Sequence, residues 1–97
     1  MNRRIEIRFA PVDGVRYVSE VVASDAVGQR VVYNRVRPQP LGLHSVKMNV
    51  ERLLASGTWR VSFPEMLDRA PMVYNRGASW KRLIAFRTDL IIEEVSA

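Results

Sequence analysis

Apolar and polar residues alternate near the start of the chain: Ile5, Ile7 and Phe9 are interleaved with Arg4, Glu6 and Arg8. A period of two predicts a half-buried strand. Pro11 ends it, and Asp13-Gly14 is a strong hairpin signal. Residues 15–23, rich in Val and containing Tyr17, read as the second strand, and 24–28 as a turn ending in Gly28. The β-branched and aromatic stretch 30–37 reads as a third strand.

Pro38-Gln39-Pro40 breaks the sheet and predicts an extended connector without amide donors at the prolines. Leu43, Val46, Val50, Leu53 and Leu54 then recur at helical spacing, with Lys47, Glu51 and Arg52 among the polar positions. This predicts a helix over 43–56, with Gly57 as the left-handed residue beyond its C-terminus. Trp59, Val61 and Phe63 alternate with Arg60 and Ser62, so 58–63 is a strand whose Trp belongs to the core, and Pro64 stops it. Residues 65–69 suit one helical turn, and 72–75 form a short strand running into Arg76-Gly77.

The segment 79–95 fits two readings. Ile84, Phe86, Thr88, Leu90 and Ile92 alternate as in a strand, whereas Ser79 can cap a helix running through Trp80, Leu83, Ile84 and Leu90. The alternation favours strand. The pattern as a whole predicts an α+β fold: an antiparallel sheet of about five strands covered by the 43–56 helix, with a second, C-terminal helix as the alternative reading of 79–95.

The 97 residues fit a single domain, 1–97. At 47% hydrophobic and 26% charged, the composition is that of a folded protein. A chain of this size has a thin core, which makes a homo-oligomer an economical way to bury more surface. The absence of cysteine excludes a disulfide framework, a thiolate metal site and a cysteine nucleophile. No apolar run is long enough to span a bilayer, and the basic Met1-Asn2-Arg3-Arg4 is followed by alternation rather than a signal-peptide core. A cytoplasmic protein without membrane attachment is expected.

The net charge is +5, with thirteen of the fifteen basic residues Arg. Such a skew arises from genomic base composition as readily as from function. The charge is nevertheless uneven: residues 26–64 hold six basic residues against Glu51, and 69–87 hold five with no acid, before Asp89, Glu93 and Glu94 reverse the sign. A basic surface attracts acidic partners.

Val32-Tyr33-Asn34-Arg35 recurs as Val73-Tyr74-Asn75-Arg76, each copy at the end of a predicted strand. This suggests related halves presenting Tyr33 with Arg35 and Tyr74 with Arg76. The first half carries a second likeness. Asp13-Gly14, Gly28 and the helix-opening Gly42-Leu43-His44-Ser45-Val46-Lys47-Met48-Asn49 resemble the YegP-like domain, a family of poorly understood function, over about residues 5–50. The resemblance implies three strands followed by a helix, with units often in tandem, and brings no catalytic residue.

His44 is the only histidine, which argues against a zinc site and gives a triad a single base to use. No Ser stands in a nucleophile elbow, no phosphate-cradling glycine loop is present, and the adjacent Glu93-Glu94 point apart along a chain end. No cofactor, metal or enzymatic activity is expected. The constellation that persists is Arg interleaved with aromatics. The candidate binding residues are Tyr33, Arg35, Arg37, Tyr74, Arg76, Trp80, Lys81 and Arg82. Arg holds phosphate in a fork geometry, and aromatics stack on bases or anchor protein interfaces. The expected function is a non-enzymatic binding module for an acidic partner, nucleic acid or protein. The alternatives are a small phage or mobile-element adaptor or inhibitor acting on a host protein, and a self-associating structural domain.

Overall fold

A computed structural model of the chain describes residues 2–25, 27–28, 30–34 and 40–95, with 30–34 and 40–45 given by their backbone alone. The chain turns first at Asp13-Gly14. Both residues have positive φ (50° and 79°), the conformation of a two-residue turn whose twist matches the strands it joins. It connects β1 (Arg4–Val12) to β2 (Val15–Ser24), which pair antiparallel along their whole length. The register shifts between Arg8 and Phe9: Arg8 lies opposite Glu20 but Phe9 opposite Val18. Ser19 is the extra residue of this β-bulge, and its hydroxyl donates to the Arg8 carbonyl (3.2 Å).

β3 (Arg30–Asn34) pairs with the far side of β2. The third strand was expected to reach Arg37; residues 35–37 lie outside the described residues. α1 (Pro40–Leu54) begins three residues earlier than the spacing predicts. Pro40, expected in an extended connector, is instead the first helical residue. Its missing N–H is one the helix would leave unpaired there, and its fixed φ suits the first turn. Beyond α1, Gly57 takes φ 133°, which other residues avoid.

β4 (Thr58–Ser62) and β5 (Met72–Asn75) follow. Residues 65–69, expected as a helical turn, form successive hydrogen-bonded turns instead (Met66 N–H to Phe63 O and Arg69 N–H to Met66 O, both 3.0 Å). The ambiguous C-terminal segment divides. α2 (Trp80–Ile84) starts at Ser79, whose hydroxyl accepts from Arg82 N–H (3.2 Å), and β6 (Leu90–Glu94) comes after it. Each reading therefore describes half of the segment.

The fold is α+β, with six strands rather than about five, all antiparallel, in the order β3-β2-β1-β6-β4-β5. The last strand lies between β1 and β4. Ile5 is thereby flanked by Ala23 and Ile92, Ile92 by Val61, and Val61 by Met72. These residues, with Ile7, Val21, Trp59 and Leu90, form the sheet's share of the core. Val46, Val50 and Leu54, spaced by four, bury α1 against it, and Trp80 and Leu83 do the same for α2. Both helices thus cover one face. No helix among the described residues is long and apolar enough to cross a membrane.

Candidate functional site

Strand alternation sends Arg4, Glu6 and Arg8 to the face away from the helices. Register places Glu93 and Glu20 beside them, with Arg60 opposite Glu93. The charges pair there: Arg4 with Glu6 (2.9 Å) and Glu93 (3.7 Å), and Arg8 with Glu6 (3.6 Å) and Glu20 (3.7 Å). Among the described side chains of this face, three Arg stand against three Glu. A groove of about 290 Å³ runs over it between Arg4, Glu6, Arg8, Pro64 and Asp89. Its opposed, mutually paired charges offer no net attraction to an ion.

A second ion pair closes one end of the sheet. Arg3 meets Glu94 at 2.7 Å, donates to Ser56 O (2.9 Å), and lies over the Trp59 ring (5.1 Å). Hydrogen bonds from the Arg3 side chain and backbone hold the Glu94 carboxyl below the usual carboxylate range; the same pairing raises the Arg3 guanidinium. At the hairpin end Arg16 pairs with Glu65 (3.0 Å) and Asp89 (3.7 Å). Thr88, 6% exposed, donates to Glu65 (3.2 Å), and Phe9 N–H to Asp89 (2.9 Å). The Asp89 bond serves the bulge: β6 pairs with β1 only as far as Ile7, and the side chain of Asp89, the residue before β6, supplies the acceptor at Phe9.

The helical side differs. Lys47, Arg52, Arg76, Lys81 and Arg82 are all exposed, and no carboxylate pairs with any of them among the described residues. Four of them lie on the chain segments that meet where α1 ends and α2 begins. Glu51 accepts from Trp80 N–H (3.0 Å), Gly77 N–H donates to Leu54 O (3.2 Å), and Arg76 N–H donates to Gly57 O (3.0 Å). These bonds hold the last turn of α1, with Arg52, against the segment bearing Arg76, Lys81 and Arg82. The one acid at the junction, Glu51, is engaged by that backbone amide.

The candidate set from the sequence therefore divides. Arg76, Lys81 and Arg82 share this surface. Trp80 does not: it is 4% exposed and packs in the core as the apolar first residue of α2, so its ring cannot stack on a partner. Tyr74 is half-buried, packs against the core, and donates its hydroxyl toward Met72 Sδ (3.7 Å). The repeated tetrapeptide falls on the two outer strands, Tyr33 opposite Val21 on β3 and Tyr74 opposite Trp59 on β5. Five inter-strand steps, roughly 24 Å, separate them, so the two copies do not converge. The Tyr33 side chain and all of Arg35 and Arg37 lie outside the described residues, as does the His44 side chain.

The structure adds residues that the sequence did not single out. A half-open groove of about 370 Å³ lies between the β1–β2 hairpin and α2, with Phe9, Val18 and Ile84 in its lining and Tyr17, Lys81 and Arg87 around them. Tyr17 stands out because of the bulge. Counting in twos from the buried Val21 would turn Tyr17 inward, but the extra Ser19 inverts the phase, burying Val18 and leaving Tyr17 36% exposed. The only sequence signal was an aromatic residue within a Val-rich strand. Arg87 has φ 51°, and Arg76 φ 62°, so cations flank α2 at positions that glycine would occupy with less strain. Comparison with protein-family models, curated proteins and solved structures finds no match to the chain.

Proposed function

We propose that the chain is a non-enzymatic binding module that engages the phosphate backbone of a nucleic acid through the cations at the junction of its two helices. The observation that carries this is the partition of charge. Arg4 and Arg8 on the open sheet face are neutralised by Glu6, Glu20 and Glu93, whereas Arg52, Arg76, Lys81 and Arg82, on the segments that meet at the helix junction, are exposed with no carboxylate partner among the described residues. Leaving like charges unneutralised on one surface raises the energy of the free protein, and a polyanion relieves it. Arg guanidinium groups suit phosphate because their donors form a planar fork. Of the expected stacking partners, Trp80 is buried and Tyr74 packs against the core, so neither contributes to this surface.

Fluorescence anisotropy with labelled oligonucleotides across a salt series tests it. Four to five phosphate contacts should cost on the order of a few hundredfold in affinity between 50 and 200 mM salt. Replacing Arg76, Lys81 and Arg82 together by Ala should flatten that dependence. No binding at low salt would refute the proposal.

One observation favours a second reading, self-association. β5 is an outer strand pairing with β4 alone, and Val73 on it is 58% exposed. Its four residues and the preceding Pro71 limit what can add there. Light scattering that reports a monomer at every concentration would remove this reading.

A further inference from the structure

We infer that the groove between the β1–β2 hairpin and α2 receives one unpaired base of a single-stranded nucleic acid, so that the protein prefers single strands to duplexes. This rests on the nucleic-acid reading above and assigns it a second element.

The groove joins two chemistries. Phe9, Val18 and Ile84 line it with apolar surface, and Tyr17, a residue 36% exposed, borders it. Lys81 and Arg87 supply positive charge at its rim. Arg16 also reaches the groove, but Glu65 and Asp89 neutralise its guanidinium at 3.0 and 3.7 Å, and neither carboxylate lines the groove. One guanidinium against two carboxylates leaves −1 beside the groove, so with Lys81 and Arg87 the local balance is +1. Arg87 is held in place by donating from Nη1 to Arg16 O (3.1 Å), which leaves its other donors available.

A ligand matching this groove has a flat apolar part and an anionic part. Its volume, about 370 Å³, falls at the small end of ligand sites, and it is open on one side. An acyl chain needs a closed, elongated cavity to leave water. A planar ring needs only a face to stack on and an apolar floor, and every base offers such a face. In duplex DNA that face is stacked in the helix, so only an unpaired base reaches the groove. Lys81 belongs both to this rim and to the junction cations. A strand whose base lies in the groove therefore runs its phosphates toward Arg82 and Arg76.

Three fluorescein-labelled probes test this: a 12-nucleotide oligothymidylate, the same strand with abasic sites throughout, and a 12-base-pair duplex. Intact single strand should bind more tightly than the other two. Tyr17→Ala should weaken intact single-strand binding about 5- to 150-fold, the worth of one stacked base. It should leave the abasic strand and the duplex unchanged, and Tyr17→Phe should retain the wild-type preference. Tyr17 is on the surface, so the variants fold, and circular dichroism checks this. Equal affinity for intact and abasic strands, with no effect of Tyr17→Ala, would overturn the base-docking inference while leaving backbone binding in place. Failure of all three probes to bind at low salt would overturn both.

Discussion

Asp89 is the residue through which the bulge, the hairpin and the last strand depend on one another, and its removal tests the structural reasoning directly. Its carboxylate accepts from Phe9 N–H at 2.9 Å and lies 3.7 Å from Arg16. Asp89→Ala removes both contacts. A hydrogen bond to a charged acceptor is worth about 1.5–3 kcal/mol. The ion pair adds less than about 1 kcal/mol, because Arg16 is 37% exposed and retains Glu65. The expected loss is about 2–3 kcal/mol, which lowers Tm by roughly 10–20 °C in a chain of this size. Asp89→Asn keeps an oxygen for the Phe9 amide and should recover more than half of the loss. Urea unfolding with an unchanged m-value is the assay, since it separates stability from changes in compactness. A loss below about 0.5 kcal/mol for Asp89→Ala would show that the amide needs no acceptor. Equal losses for Ala and Asn would show that charge, not the hydrogen bond, is what matters.

Other expectations follow from single residues. Arg76 has φ 62° and no side-chain partner among the described residues, so Arg76→Gly should raise stability by about 0.5–1 kcal/mol in thermal melts while weakening oligonucleotide binding. Gly57→Ala meets no close atom, the nearest being 3.7 Å away, yet φ 133° should still cost it about 1–3 kcal/mol. An unchanged Tm would mean that this backbone relaxes freely. Arg3 lowers the Glu94 pKa in the folded state, so the unfolded chain binds the more protons as the carboxylate titrates. The stabilisation is complete above about pH 4.3, the ordinary Glu value, and disappears as pH falls through the folded value. Melts from pH 6 to pH 3 should show wild type losing Tm more steeply than Glu94→Gln; parallel curves would contradict the pairing.

Part of this molecule is written in local pattern. The alternation of Ile5, Ile7 and Phe9, the Asp13-Gly14 turn, the spacing of Val46, Val50 and Leu54, and the alternation of Trp59 and Val61 each specify an element and its buried side, and the structure bears them out. The basic middle was legible in the same way, because charge is a property of residue type.

What the pattern left open depends on contacts between distant residues. α2 is five residues long, too short for its period to distinguish it from a strand, and its identity comes from the Ser79 cap and the packing of Trp80 and Leu83. That packing removed Trp80 from the candidate surface. The position of β6 between β1 and β4 pairs it with residues 83–89 positions away on β1 and 29–35 away on β4, which no local signal encodes. It also sends the two copies of the repeated tetrapeptide to opposite edges of the sheet. The bulge at Ser19 inverts the side-chain phase of β2 and turns Tyr17 outward, because one extra residue in a period of two exchanges the faces. The sequence by itself determined the first three strands, the α1 helix and the strands β4 and β5, which side of most of them is buried, and that the middle of the chain is basic. Only the tertiary structure decided which cations lack partners and which aromatic remains exposed, because neutralisation and burial are settled by neighbours that the strand order brings together.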